Sequence, residues 1–130
     1  LNSFLFNKDN IVTKIIKENE EVDCPICKQK HIITFYNSVN VQHNPELKEK
    51  VFGGEINALP CSKGVLLGPF LYVDGKQWVW LYPWNMGGQK EKIEAEIKQR
   101  EFETDRMFGK NQIVHYYVFG YSQFKKKKKK

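Results

Sequence analysis

The sequence predicts an α+β protein, with degenerate zinc-ribbon-like knuckles on an antiparallel sheet of about five strands and one charged surface helix packed on one face. Three observations predict it. Several short runs rich in β-branched and aromatic residues alternate with a period near two. One long charged run, 89–107, carries its apolar residues at helical spacing. Cys24-Pro25-Ile26-Cys27 is followed at a distance by a lone Cys61. The 130 residues suit one hydrophobic core, and 41% hydrophobic residues against 28% charged exclude a wholly disordered chain. A single domain over 1–124 with a lysine tail at 125–130 is the expected organisation.

Taken in order, Ile11-Val12-Thr13-Lys14-Ile15-Ile16 places apolar groups at i, i+1, i+4 and i+5 after Asp9-Asn10, which predicts a short helix. Lys17 to Asp23 is a polar, acidic approach to the first cysteines. From His31 the odd positions Ile33, Phe35, Val39 and Val41 predict a strand. Asn44-Pro45-Glu46 predicts a helix start with Asn as cap, and Gly53-Gly54 its stop. Glu55 to Pro60 and Val65 to Val73 are expected strands, the second interrupted at Gly68-Pro69. Asp74-Gly75 predicts a type I′ turn joining Leu71-Tyr72-Val73 to a strand from Gln77 to Tyr82. After Met86-Gly87-Gly88, Ile93 and Ile97 share one face of a helix supported by Glu94–Lys98 and Glu96–Arg100 pairs and ended by Gly109. Ile113 to Phe119 adds a last strand.

The formal charge is +6, but it is all tail: removing Lys125, Lys126, Lys127, Lys128, Lys129 and Lys130 from 21 basic residues leaves 15, equal to the 15 acidic ones. A neutral body argues against a nucleic-acid-binding face, while the lysine run itself offers non-specific polyanion binding. No apolar stretch reaches the roughly 18 residues of a membrane span, and Phe4-Leu5-Phe6 is far shorter than a signal-peptide core. The expectation is a soluble, cytoplasmic protein.

Three cysteines, two of them spaced C-x-x-C, make a poor disulfide framework, and the spacing suits a metal knuckle better. A zinc ribbon would repeat C-x-x-C near residue 61, where the chain reads Cys61-Ser62-Lys63-Gly64. Zinc held by Cys24, Cys27 and Cys61 then needs a substitute fourth ligand, for which His31, His43, His115, Asp74 and water are candidates. A relic ribbon with inert buried thiols and a C-x-x-C redox pair are the competing readings. His31 lies four residues past Cys27, where an extended chain would carry it away from the metal.

The succession of Cys24-Pro25-Ile26-Cys27, Phe35-Tyr36-Asn37-Ser38-Val39-Asn40, Asn44-Pro45-Glu46-Leu47-Lys48-Glu49-Lys50, Gly54-Glu55-Ile56-Asn57, Cys61 and Pro69-Phe70-Leu71-Tyr72-Val73-Asp74 resembles the small prokaryotic CpXC domain family over residues 22–84. The resemblance implies a zinc-binding module and no particular reaction. The chain departs from the family pattern where a second Cys-Pro-x-Cys would stand.

Trp78, Trp80 and Tyr82 alternate with Val79 and Leu81, which predicts a strand covered on both faces, and Trp84 is the candidate for an exposed aromatic. His115 reads as a hydrogen-bonded sheet residue and His43 as a solvated loop residue. No catalytic triad order, phosphate-binding glycine loop or H-E-x-x-H is present. The functional expectation is a small, non-catalytic interaction module with a protein partner. A nucleic-acid-associated protein using its tail is second, and a metal or thiol enzyme third.

Overall fold

The computed structural model describes residues 13–128. Its elements are β1 (Lys14–Asp23), β2 (Lys30–Asn40), α1 (Glu46–Phe52), a 3-10 turn at Pro60–Ser62, β3 (Phe70–Asp74), β4 (Gln77–Tyr82), a second 3-10 turn at Trp84–Gln89, α2 (Lys90–Phe108), β5 (Val114–Phe119) and α3 (Gly120–Lys127). Among the described residues, no helix is long and apolar enough to cross a membrane.

The five strands form one sheet in chain order, and the sheet is mixed rather than antiparallel. β1–β2 and β3–β4 are antiparallel hairpins, whereas β2–β3 and β4–β5 are parallel. A parallel neighbour cannot be reached by a tight turn, so long crossovers carry the helices and cover both faces. On one face Leu71, Val73, Trp78, Trp80 and Tyr82 pack with Ile93 and Ile97 of α2. On the other, Phe70, Tyr72, Val79 and Leu81 pack with Leu47 and Val51 of α1 and Tyr121 and Phe124 of α3. The aromatic strip of β4 is therefore core, as its alternation predicts.

Several sequence expectations are corrected. The helix expected at 11–16 is strand from Lys14 onward, paired with β2 through register shifts; Ile11 and Val12 lie outside the described residues, as does the Phe4-Leu5-Phe6 segment. The apolar cluster of four residues could serve either period, and the partner strand decided it. Glu55 to Pro60 is not a strand. Asn57, at a φ of 54°, bends the segment, and its side chain substitutes for a sheet neighbour: Oδ1 accepts from Tyr36 N at 2.8 Å and Nδ2 donates to Tyr36 O at 3.0 Å. Asn44 does not cap α1, whose N-cap position is Pro45. In the β3–β4 hairpin Asp74 pairs with Gln77, so the central residues are Gly75 and Lys76; only Gly75 has positive φ, at 62°, which is the pattern of a II′ turn rather than I′. α3 extends through Lys127, so Lys125 to Lys127 of the lysine run are helical.

Candidate metal centre

The last paired residues of the β1–β2 hairpin are Asp23 and Lys30, so residues 24–29 make its tip. There Cys24 N donates to Gln29 O at 3.0 Å and Lys28 N to Cys24 O at 2.9 Å. Lys28, at a φ of 63°, turns the chain back. The Cys27 N–H points at Cys24 Sγ, 3.4 Å away. A turn closed in this way sets both sulfurs of a C-x-x-C pair on one side.

Reversal of the chain brings β2 back past the knuckle, and with it His31. Its Nε2 lies 3.0 Å from Cys27 Sγ and 3.7 Å from Cys61 Sγ. The expectation that an extended chain carries His31 away is therefore wrong, because it ignored the fold-back at Lys28. Spacing held the signal: Cys-x-x-Cys-x-x-x-His places the imidazole on the first turn of returning strand.

Cys61 arrives from a separate segment, held in the 3-10 turn Pro60–Ser62 rather than in a second hairpin knuckle. Two anchors place that turn. Asn57 ties the preceding residues to Tyr36 of β2, as described above, and its backbone O accepts from Leu67 N at 2.8 Å. Gly54, at a φ of 70°, lies against Gly64, whose N donates to Gly54 O at 2.8 Å. A Cβ on Gly54 would meet Gly64 Cα and N at 2.7 Å, so only glycine permits the approach. Gly54 and Asn57 stand in one of the segments that carry the family resemblance, but their spacing alone does not show this anchoring role.

One donor atom each from Cys24, Cys27, His31 and Cys61 lie within 4.8 Å of one another. Bonds of about 2.0–2.3 Å give a tetrahedron edges of about 3.3–3.8 Å, so the group is near the size of a zinc site. All three cysteines are free. The Cys24 thiol is lowered below its ordinary pKa, chiefly by the Cys27 backbone N–H. Cys61 is pushed up to about 11 by its hydrogen bond with Cys27, by desolvation and by the charge of the neighbouring sulfurs. Crowded thiolates of this kind ionise together readily only beside a cation.

The other candidate ligands are placed elsewhere. His43 is exposed in a turn. His115 lies within the sheet, hydrogen-bonded to Trp80 and Thr104. Asp74 Oδ2 is 3.7 Å from Lys128 Nζ. The family model described as CpXC protein matches residues 22–127. This chain belongs to the CpXC family. The match runs beyond the stretch 22–84 that carries the resemblance in sequence and takes in α2, β5 and α3. No curated protein and no solved structure matches the chain.

In this CpXC protein the lysine run also has internal partners. Lys127 Nζ stands 4.8 Å from the Tyr116 ring centroid, and Lys128 Nζ donates to Gln77 Oε1. Lys129 and Lys130 lie outside the described residues. Trp84 is 73% exposed, as expected of a residue beyond the strand.

Proposed function

We propose that the protein is a small, non-catalytic binding module whose fold is stapled by a structural zinc ion on Cys24, Cys27, His31 and Cys61. The observation that carries this reading is the convergence of His31 with three thiols from two separate segments. Four protein donors leave no open coordination position for water or substrate, the arrangement of structural rather than catalytic zinc. When bound, the ion would neutralise the thiolates and join the β1–β2 hairpin to the Pro60–Ser62 turn. The redox reading has less support, since the Cys24–Cys27 pair sits at a hairpin tip and not at a helix N-terminus. The tail reading is weakened because Lys127 and Lys128 already have partners on β3, β4 and β5. A protein partner and a cytoplasmic location belong to the same proposal.

The test is metal analysis of the purified full chain. About one zinc per chain should co-purify, and cobalt substitution should give the intense visible bands of a tetrahedral thiolate site. Cys27→Ser should lose the metal and lower the melting temperature by about 10 °C, roughly the effect of 3 kcal/mol on a chain of this size. His31→Ala should alter the cobalt spectrum. Metal-free protein, indifferent to chelator and to Cys27→Ser, would establish the relic reading instead.

A further inference from the structure

The two edges of the sheet differ. β1 is laden with charge, including Lys17, Glu18, Glu20 and Glu21, and its pairing with β2 slips at three places. Both are devices that keep an edge from accepting another strand. β5, at the opposite end of the strand order, holds no Lys, Arg, Asp, Glu or Pro and pairs in regular register with β4 along its whole length. Two bonds show which backbone groups it turns outward. Val114 N donates to Lys76 O at 2.8 Å, toward β4. Backbone groups alternate in direction along a strand, so Val114, Tyr116 and Val118 bond to β4 while His115, Tyr117 and Phe119 face the open side. There Phe119 N already donates to Gln123 Oε1 at 2.9 Å. The N–H and C=O groups of His115 and Tyr117 have no strand to pair with among the described residues.

An open groove of about 550 Å³ follows this side of β5. Its lining includes the consecutive residues His115, Tyr116 and Tyr117, whose side chains alternate between the two faces of the sheet, so it runs along the edge and not over one face. α2 contributes Lys90 on one side, and α3 contributes Gln123 and Lys127 on the other. Lys127 is held at the groove by the Tyr116 ring. No carboxylate is among the lining residues, and the nearby Glu94 accepts from the Tyr117 hydroxyl. We propose that this edge takes up an extended acidic segment of a partner protein as an added strand. Main-chain bonds to His115 and Tyr117 would set its register, and its alternating side chains would bring one carboxylate to Lys90 and one to Lys127. A second copy of this chain fits less well, because it would bring the same lysines to face these. A nucleic-acid backbone fits less well too, since it accepts hydrogen bonds but lacks the alternating donors of a peptide. The inference deepens the protein-partner reading above, and it shares no residue with the Cys24 group.

The probe is the capped peptide acetyl-Thr-Val-Glu-Asp-Val-Thr-amide, titrated into the full chain and followed in ¹H–¹⁵N spectra. The His115 and Tyr117 amides should shift and slow their hydrogen exchange, while those of Val114, Tyr116 and Val118, already bonded to β4, should move less. The same peptide with Lys in place of Glu and Asp should bind at least tenfold more weakly, as should one N-methylated at Glu and Asp. Lys90→Glu combined with Lys127→Glu should reverse the preference between the two charged peptides at an unchanged circular dichroism spectrum. Should that double variant fail to fold, Lys90→Glu alone, at the exposed start of α2, should weaken the acidic peptide at least threefold. Shifts confined to residues away from β5 would overturn the edge as the site and leave the binding-module reading standing, which the zinc analysis decides by itself. Absence of binding, or equal affinity for the acidic, basic and N-methylated peptides, would overturn the proposal. So would the same two amides responding to protein concentration alone, which assigns the edge to a second copy, or responding more strongly to oligothymidylate than to the acidic peptide.

Discussion

His115 shows what a single side chain's partners decide. Trp80 Nε1–H can only donate, so His115 Nδ1, 3.0 Å away, accepts, and the ring hydrogen sits on Nε2, 2.9 Å from Thr104 Oγ1. The Thr104 hydroxyl passes its own hydrogen to Arg100 O at 3.0 Å. Both ring nitrogens are used by the neutral imidazole, and burial, together with the Arg100 charge, pushes its pKa down to about 4. An unfolded histidine at about 6.5 takes up its proton first, so this contribution to stability is whole above pH 6.5 and declines as the pH falls toward 4. Denaturant midpoints between pH 7 and 4 should fall more steeply for the native chain than for His115→Gln; parallel slopes would show that His115 does not titrate across folding. His115 as a sheet residue was legible from its place in an alternating run. His31 was legible only in its spacing from Cys27, because its role depends on a turn conformation at Lys28 that no residue type announces.

At the scale of elements, the β3–β4 hairpin and the long helix α2 were the legible parts. Gln77 to Tyr82 and the charged helix around Ile93 and Ile97 follow from periodicity, since each buries a fixed face. The segment 55–69 was misread because it is organised by Asn57 and by the Gly54–Gly64 contact, which are tertiary rather than periodic features. Gly54→Ala should therefore displace the Cys61 turn and weaken zinc binding while leaving the circular dichroism of the helices unchanged. Metal content equal to that of the native chain would mean the turn is held otherwise. At the β3–β4 turn, Gly75→Val forces a β-branched residue to positive φ against Gln42, and about 1–3 kcal/mol of stability should be lost in denaturant titration. α3 escaped prediction because its lysines read as a solvated run, although Tyr121 and Phe124 anchor it to the core. Six lysines free to bind duplex DNA would give a slope of log affinity against log salt near −5. With Lys127 and Lys128 engaged, the slope should be no steeper than about −4, and Asp74→Asn, which releases one partner of Lys128, should steepen it. No change in Asp74→Asn would show that the ion pair does not hold Lys128 in solution.

For the whole molecule, the α+β class was readable from the chain; the strand number agrees only because the strand expected at 55–60 offsets the unrecognised β1. Which neighbours run parallel was not readable, because periodicity records which face is buried and not the direction of the adjacent strand. Antiparallel order was the simpler inference from short strands and tight turns. The parallel pairs β2–β3 and β4–β5 instead enclose residues 41–69 and 83–113 as crossovers. These crossovers impose an order of events in time. The two hairpins can form from neighbouring segments within microseconds, whereas each parallel ladder must wait for a long intervening segment to collapse and return. A rate-limiting barrier should accordingly lie at the joining of preformed hairpins. In stopped-flow refolding, Gly75→Val, acting within a hairpin, should slow folding, while Ile97→Val, which trims the helix laid down by the second crossover, should chiefly hasten unfolding. If the two substitutions exchange these signatures, the crossovers form before the hairpins.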